Sequence, residues 1–193
     1  MNDKINSNDT SQNGIDRFTT SFSTSTFEWT ESIAQALVVM VAVLAFIFRI
    51  ATVDGTSMLN TLHDKDKVFI LKWNYTPRSG DVVVITKGVQ YDKPLVKRAI
   101  ATEGQTLSID FDNNTVIVDG TTLKEPYILE PMWRKGDGVI PKVIPKGHTF
   151  VMGDNRNNSM DSRYKEIGVI PNENIVGKAT HIVFPLFRFG AIK

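Results

Sequence analysis

The sequence predicts a mostly β domain that follows one apolar helix, and two patterns carry this prediction. Residues 33–50 are almost wholly apolar, interrupted only by Gln35 and, near the end, Arg49. From Ala51 onward, short β-branched and aromatic runs are separated by Gly, Asn, Asp and Pro, which is typical of strands joined by turns. The sequence shows neither a repeat nor an alternation of helices with strands, so a parallel α/β sheet is not expected.

The first 50 residues are predicted to form a tail and an anchor. Residues 1–31 are rich in Ser, Thr, Asn and Asp and poor in aliphatic side chains, which predicts a disordered tail. Residues 32–50 are predicted to be a transmembrane helix, because the apolar run would rise about 27 Å, close to the hydrocarbon thickness of a bilayer. The alternatives are a cleaved secretory signal, disfavoured by the long acidic tail, and a buried core helix, disfavoured by the lack of a polar stripe. Basic residues on both sides are too sparse to set the orientation.

Residues 51–193 are predicted to form the β domain. Turn-forming residues at 112–114 and 119–120 predict two hairpins between Thr106 and Leu123. The expected strands are 68–73, 82–86, 95–102, 106–110, 116–118, 149–152 and 174–184.

Composition excludes several classes of protein. The chain has 193 residues, a formal net charge of +1 and no cysteine. A nearly neutral chain is not expected to bind nucleic acid by neutralising phosphates, and the lack of cysteine excludes thiol catalysis and disulfides. Because His63, His148 and His181 lack the spacing of metal ligands, we expect neither a metal nor a cofactor.

Three polar segments contain side chains that a hydrolase could use. Ser57 follows the predicted anchor closely, and Lys97 and Arg98 lie in a predicted strand, where alternation predicts that one of them faces inward. Residues 153–163 form a dense run of short polar side chains. Taken singly, an ordinary turn, a solvated strand edge and a hydrogen-bonded loop explain the three segments equally well.

Together and in this order, the segments resemble the bacterial type I signal peptidase family. The positions that carry the resemblance are Ser57, Met58, Thr61 and Leu62 for its serine box, Gly80 to Val83 for its Gly-Asp strand start, Lys97 and Arg98 for its lysine box, and 153–163 for its last box. The resemblance covers nearly all of 30–193. It implies a signal-peptidase-like β catalytic domain with a variable β-hairpin insertion at 105–147, as short as in Gram-positive members.

The resemblance also implies a role for each candidate site residue. Ser57 would be the nucleophile, with Met58 beside it in the serine box, and Lys97 the general base. Ser159 would orient the lysine amine. Asp161 and Arg163 would form a supporting salt bridge. The Ser57 N–H and donors near Gly55 would stabilise the oxyanion, since Gly55 lacks the side-chain hydroxyl that some Gram-negative members have there.

A lysine base has a physical requirement that can be stated independently. Only the neutral amine accepts a proton, and an ordinary lysine pKa of about 10.4 leaves fewer than about one in a thousand molecules neutral at pH 7. Burial among apolar side chains lowers that pKa. Leu95 and Ala99, which share a strand face with Lys97, are the expected neighbours.

Substrate, partners and location follow from the resemblance alone. It implies cleavage of exported preproteins after small-x-small sites at the end of their signal peptides. The implied surroundings are membrane lipids and the secretion translocon. The chain would be a single-pass protein of the plasma membrane, with a cytoplasmic tail at 1–31 and an extracytoplasmic peptidase domain.

Other mechanisms fit the sequence less well. Ser162 and Lys165 have the Ser-x-x-Lys spacing of penicillin-binding enzymes, but their partner motifs are missing. A Ser-His-Asp hydrolase could recruit a histidine, yet the residues around Ser57 lack the second glycine of a nucleophile elbow. A self-cleaving repressor would carry a DNA-binding segment where this chain has its apolar run. A membrane-tethered protein that binds signal sequences without cutting them is the non-enzymatic alternative.

Overall fold

The structure, a computed structural model, describes residues 29–44 and 48–193, and the chain divides into two units. In the first unit, residues 29–44 form an α-helix whose side chains are exposed. No helix within the described ranges is long and apolar enough to cross a membrane. The tail predicted at 1–31 lies outside the described residues, apart from 29–31, which belong to this helix.

The predicted extent of the helix to Ile50 is wrong. Strand β1 (Phe48–Thr52) occupies its last positions and pairs antiparallel with β2 (Lys67–Leu71), with Arg49 opposite Ile70 and Ile50 opposite Phe69. A short apolar run does not distinguish a helix from a strand, and here the ladder with β2 satisfies backbone groups that a helix would have paired internally.

The second unit, residues 48–193, is built on one large antiparallel sheet. Its strands are β1, β2, β3 (Val82–Ile85), β4 (Leu95–Thr102), β8 (His148–Met152), β9 (Ile170–Pro171), β10 (Ile175–Phe184) and β11 (Gly190–Ala191). They are arranged in the order β1-β2-β10-β3-β4-β8-β9, and β11 pairs with β10. Strand β10 therefore lies between the N-terminal pair and the β3–β4 hairpin.

A smaller sheet interrupts the chain between β4 and β8. It consists of β5 (Leu107–Asp110), β6 (Thr115–Val118) and β7 (Thr121–Thr122), paired in that order. Asn114, Asp119 and Gly120 have positive φ angles of 55°, 49° and 75°, which the two tight turns require. Both predicted hairpins are thus present.

The predicted strands are present, with bounds that differ by two residues or fewer. Sequence patterns missed β1, β7, β9 and β11. Three of these are two-residue pairings, too short to show an alternation of apolar and polar residues.

Strand β4 lies at the junction of three apolar clusters. Val96 packs against the cluster around Met58 and Leu62, and Ile100 belongs to the cluster around Phe150. Leu95 and Ala99 belong to a third cluster. A polar side chain in the middle of this strand is therefore surrounded by protein on both faces of the sheet.

Candidate active site

Ser57 lies in the connection between β1 and β2. Met58 and Leu62, which follow it, are fully buried and fix the connection to the core. The Leu62 N–H donates to the Met58 carbonyl at 2.8 Å, closing a helical turn after the serine. Two buried apolar side chains and a closed turn hold the Ser57 hydroxyl in a defined position.

The Lys97 amine reaches this hydroxyl from β4. Lys97 Nζ and Ser57 Oγ are joined by a hydrogen bond of 2.6 Å, although the residues are 40 positions apart in sequence. The alternation along β4 places Leu95 and Ala99 on the same face as Lys97, and both are buried.

Burial changes the ionisation of this amine. Lys97 is 2% exposed, and the loss of hydration lowers its pKa from 10.5 to about 8. The negative charges of Asp161 and Asp154 raise the pKa, and the positive charge of Arg163 lowers it, but each effect is smaller than that of burial. With a pKa of about 8, about a tenth of the amine is neutral at pH 7 and about half at pH 8.

Residues 153–163, here called the 153–163 loop, pack against the serine turn. The Asn155 N–H donates to the Ser57 carbonyl at 3.0 Å, and the Asn155 side-chain amide donates to the Thr56 carbonyl at 3.2 Å. The Asn158 amide donates to the Thr56 hydroxyl at 2.9 Å. Three hydrogen bonds thus fix the loop to Thr56 and Ser57.

Gly153 is the point of closest approach between the loop and the serine turn. A Cβ on this residue would overlap the Ser159 hydroxyl and lie 2.5 Å from the Ser57 carbonyl oxygen, so no other residue fits. The Ser159 hydroxyl is buried, but it has no hydrogen-bond partner among the described residues. The hydrogen bond from Ser159 that would orient the Lys97 amine is therefore absent from this structure, although Ser159 lies beside Gly153 and Ser57.

Asp161 and Arg163 form the expected ion pair. Both are completely buried, and the Arg163 guanidinium donates through Nε to Asp161 Oδ1 and through a terminal nitrogen to Oδ2, each at 2.8 Å. Asp161 also accepts from the Gly153 N–H at 3.0 Å. The pair therefore fixes the conformation of the loop without touching Ser57.

Arg98 forms a second buried ion pair that sequence reasoning did not find. Alternation predicted that only one of Lys97 and Arg98 would face inward, but both are 2% exposed, because β4 is covered on both faces. The Arg98 guanidinium donates to the two carboxylate oxygens of Asp154 at 2.8 and 2.7 Å. It also donates to the Gly80 carbonyl at 2.7 Å.

The predicted oxyanion donors differ in their availability. The Gly55 N–H donates to Asp64 Oδ1 at 2.8 Å and is occupied. Across the described residues, the Ser57 N–H has no acceptor. Of the two predicted backbone donors, only that of Ser57 is free to meet a developing negative charge.

A groove of about 370 Å³ leads to Ser57 and Lys97. One wall is formed by the end of β1 and the serine turn, and the other by the chain that enters β4. Apolar side chains such as Met58, Val84 and Leu95 line it, and Asp54 and Lys93 add charge. The groove is thus lined by both apolar and charged side chains and includes Ser57 and Lys97.

The alternative pairs are not assembled. The Ser162 hydroxyl is buried and accepts from the Val151 N–H, whereas the Lys165 side chain is exposed and lies near Asp137. The His148 ring contacts the Lys146 carbonyl. The hydroxyl nearest to a base at the groove is that of Ser57.

Several residues of the site were not singled out from the sequence. Thr56, Asp154 and Asn155 hold the serine turn and the 153–163 loop together, and Glu125 pairs with Arg156 of the loop. The density of polar residues in 153–163 was a sequence signal for Asp154 and Asn155. Glu125 had no such signal, because it lies outside the three polar segments, in the predicted insertion at 105–147.

A serine hydroxyl bonded to a buried amine at the edge of a peptide-sized groove is the arrangement that a serine hydrolase with a lysine base requires. Comparison with known proteins agrees with this class. The family model described as signal peptidase, peptidase S26, matches residues 26–184. The chain belongs to the signal peptidase family, peptidase S26, and is a serine peptidase of the signal peptidase I type.

Its relatives include bacterial enzymes of similar length. The chain is 36% identical over 175 residues to signal peptidase I of Bacillus licheniformis, covering 83% of this chain and 90% of that protein. It is 36% identical to signal peptidase I T of Bacillus subtilis strain 168, covering 82% and 85%. It is also 36% identical to a probable signal peptidase I-1 of Synechocystis, covering 84% and 86%.

Among solved structures, a signal peptidase I from Enterococcus faecalis overlaps with 55% of this chain and 98% of its own, with a TM-score of 0.48 and 24% identity. The family assignment does not depend on it.

Proposed function

We propose that this protein is a membrane-bound endopeptidase that removes signal peptides from exported preproteins, with Ser57 as nucleophile and Lys97 as general base. The observation that carries the proposal is the 2.6 Å contact between Ser57 Oγ and the buried Lys97 amine. A base must lie within hydrogen-bond reach of the proton that it removes, and the lowered pKa of Lys97 lets the amine be neutral at working pH.

The reaction follows from these two groups. Ser57 Oγ attacks the scissile carbonyl carbon while its proton passes to Lys97 Nζ. The ammonium then gives this proton to the leaving amine as the C–N bond breaks, and an ester remains on Ser57. Water attacks the ester, loses a proton to Lys97, and Ser57 recovers its proton from Lys97 when the signal peptide leaves. The free Ser57 N–H would stabilise the oxyanion of both tetrahedral intermediates.

The groove supports a substrate bound as an extended strand. Backbone hydrogen bonds to the groove walls would be indifferent to side-chain identity, which suits signal peptides of varied sequence. The apolar part of the lining, including Val84 and Leu95, would accept the small residues of a small-x-small site. Asp161 and Arg163 would support Ser57 and Lys97 by fixing the loop that carries Ser159.

Attachment to a plasma membrane is the second part of the proposal. The apolar run at 32–50 would anchor the chain, with the tail at 1–31 in the cytoplasm and 51–193 outside, near lipids and the translocon. Support also comes from the turn after β10, where Leu186, Phe187 and Phe189 are 66–88% exposed instead of packed in the core. Exposed aromatic side chains on one turn are suited to an interfacial contact with lipid.

Cleavage of one purified preprotein tests the chemistry. We expect the wild-type protein to release a single signal peptide after a small-x-small site, and Ser57→Ala to bind the preprotein without cutting it. Equal processing by wild type and Ser57→Ala would exclude the proposed nucleophile. Binding without cleavage by the wild-type protein would favour the non-enzymatic alternative.

Protease treatment of intact spheroplasts tests the topology. A protease added outside should degrade the domain at 51–193 and leave an epitope in the tail intact. Protection of the domain would contradict the proposed orientation. Release of the whole protein from membranes by alkaline carbonate would contradict the anchor.

A further inference from the structure

The insertion at 105–147 contacts the site through two buried arginines. Arg156 belongs to the 153–163 loop, and Arg98 follows Lys97 on β4; their side chains are 1% and 2% exposed. A buried guanidinium is costly unless its donors and its charge are matched. Residues 125–127, just after β7, supply partners for both.

Glu125 is the counterion of Arg156. The two terminal guanidinium nitrogens of Arg156 donate to the Glu125 carboxylate at 3.0 and 2.5 Å, and the Glu125 side chain is only 6% exposed. Arg156 Nε donates to the Gly153 carbonyl at 3.1 Å, and the Arg156 carbonyl accepts from Arg163 at 2.5 Å. Arg156 therefore links the carboxylate of the insertion to the start of the loop and to the Asp161–Arg163 pair.

Gly153 connects Arg156 to the serine turn. It lies so close to the Ser57 carbonyl and the Ser159 side chain that even a methyl group would not fit between them. A displacement of the Gly153 carbonyl by a fraction of an ångström would therefore also displace Ser57 and Ser159. Glu125, Arg156 and Gly153 form one continuous series of contacts that ends at the proposed nucleophile.

Tyr127, at the end of the segment 125–127, contacts both Glu125 and Arg98. Its hydroxyl donates to Glu125 Oε1 at 3.1 Å, and burial raises the pKa of Tyr127, so the hydroxyl keeps its proton. The centre of its ring lies 3.8 Å from the Arg98 guanidinium, a stacking distance. The same turn of the insertion thus holds both arginines.

We propose that Glu125 is a positioning residue, which sets the geometry of Ser57 and Ser159 through Arg156 and Gly153. This inference rests on the peptidase function proposed for Ser57. Glu125 touches neither the groove nor the hydroxyl, so its removal should impair the chemical step more than the binding of substrate. Its position in the insertion explains why sequence reasoning gave it no role.

Steady-state cleavage of a preprotein by the full-length Glu125→Gln variant tests this role. We expect kcat to fall about 30-fold or more, with KM within about threefold of wild type. Tyr127→Phe, which removes one hydrogen bond to Glu125 and keeps the ring on Arg98, should lower kcat about threefold. Glu103→Gln is the matched control, since that exposed carboxylate accepts, among the described residues, only the Gly147 N–H, and it should leave kcat unchanged. A loss in KM alone for Glu125→Gln would overturn the proposal.

A double-mutant cycle separates this linkage from general destabilisation. Glu125→Gln and Arg156→Lys should each lower kcat, and the double variant should be no worse than about twice the more affected single variant. Multiplicative losses in kcat would mean that the two residues act independently and would overturn the proposal.

Hydrogen exchange tests the positioning without relying on cleavage. The amides of Gly153 and Asn155 donate to Asp161 and to the Ser57 carbonyl, so both report the docking of the loop. In Glu125→Gln they should exchange about tenfold faster, while amides of β10 keep their protection. Unchanged exchange at both sites would overturn the positioning role even if cleavage were impaired. Faster exchange in a protein whose wild type cuts no preprotein would support the positioning and contradict only the proposed function.

Discussion

Lys97 and Arg98 are neighbours on β4 that are equally buried but have opposite surroundings. Arg98 has a bidentate carboxylate, a backbone carbonyl and an aromatic ring as partners. Within 48–193, Lys97 has no ion pair, and its hydrogen bond goes to the Ser57 hydroxyl. Burial with a counterion therefore keeps the Arg98 guanidinium charged and fixed in place. Burial without a counterion lowers the pKa of the Lys97 amine and makes it available for proton transfer.

Removal of the unpaired cation should have the largest effect. Lys97→Ala and Ser57→Ala should each lower kcat/KM for preprotein cleavage about 10³-fold or more, and the double variant should be no worse, because the two groups act as one unit. Lys165→Ala, at an exposed lysine, is the control. Activity of Lys97→Ala within tenfold of wild type would contradict the assignment of the base.

Removal of the paired cation should instead reduce stability. Arg98→Met leaves the Asp154 carboxylate buried without a counterion, and the free energy of unfolding should fall by about 3–5 kcal/mol in urea titrations. Lys165→Met is the matched control, because its ion pair with Asp137 is exposed on both sides and should contribute about 1 kcal/mol or less. Equal losses in the two variants would remove the distinction between a buried pair and a surface pair.

The charge on Lys97 should itself cost stability. Below pH 8 the lysine is protonated in the folded and the unfolded protein, and the burial of the ammonium costs about 3 kcal/mol, which corresponds to the shift from 10.5 to about 8. Between pH 8 and 10.5 only the unfolded chain retains the proton, so the stability contributed by Lys97 rises with pH. Lys97→Met should therefore be more stable than wild type at pH 7, and this advantage should vanish near pH 10.5. An advantage that does not depend on pH would mean that Lys97 is not a buried cation.

A new charge near Lys97 should have the smallest effect, and it tests whether the surroundings of Lys97 set the pKa of its amine. The acidic limb of the pH dependence of kcat/KM should lie near pH 8, where Lys97 loses its proton. Ala99→Asp, on the same strand face, should move this limb upward by about one unit, since a nearby carboxylate stabilises the ammonium. Ser108→Asp, at an exposed position of β5, should leave the limb in place. A limb near 6.5 in all three proteins would indicate a histidine base instead.

Much of the fold and the central pair of the site could be predicted from the sequence. Strands such as β4 and β10 are rich in apolar residues at both ends, and the hairpins of β5–β7 have turn residues whose backbone preference is local. Ser57, Lys97 and the Asp161–Arg163 pair came from the resemblance, not from periodicity. Alternation alone misjudged Arg98, because a strand covered on both faces has no solvent side.

The remaining features depend on contacts between distant segments. β1 has the composition of the apolar run before it, and only its pairing with β2 makes it a strand. Glu125 meets Arg156 across 31 positions, and Thr61 meets Asp154 across 93. Such contacts leave no local pattern in either segment. The unpaired Ser159 hydroxyl is likewise a result of packing around Gly153 that residue type does not reveal.

The place of β10 in the sheet has a consequence for the time at which the site can form. The serine turn is attached to β1 and β2, and Lys97 to β4, and in the sheet of the described residues these two strand pairs are joined by the ladders of β10, the last long strand to emerge during synthesis. A nascent chain that ends before Ile175 can pair β1 with β2 and β3 with β4, yet it has no strand to join them. Pairings between distant segments form late in folding. The proposed nucleophile and its proposed base are therefore held in one continuous sheet when β10 has been added, and a chain that ends before β10 lacks this sheet.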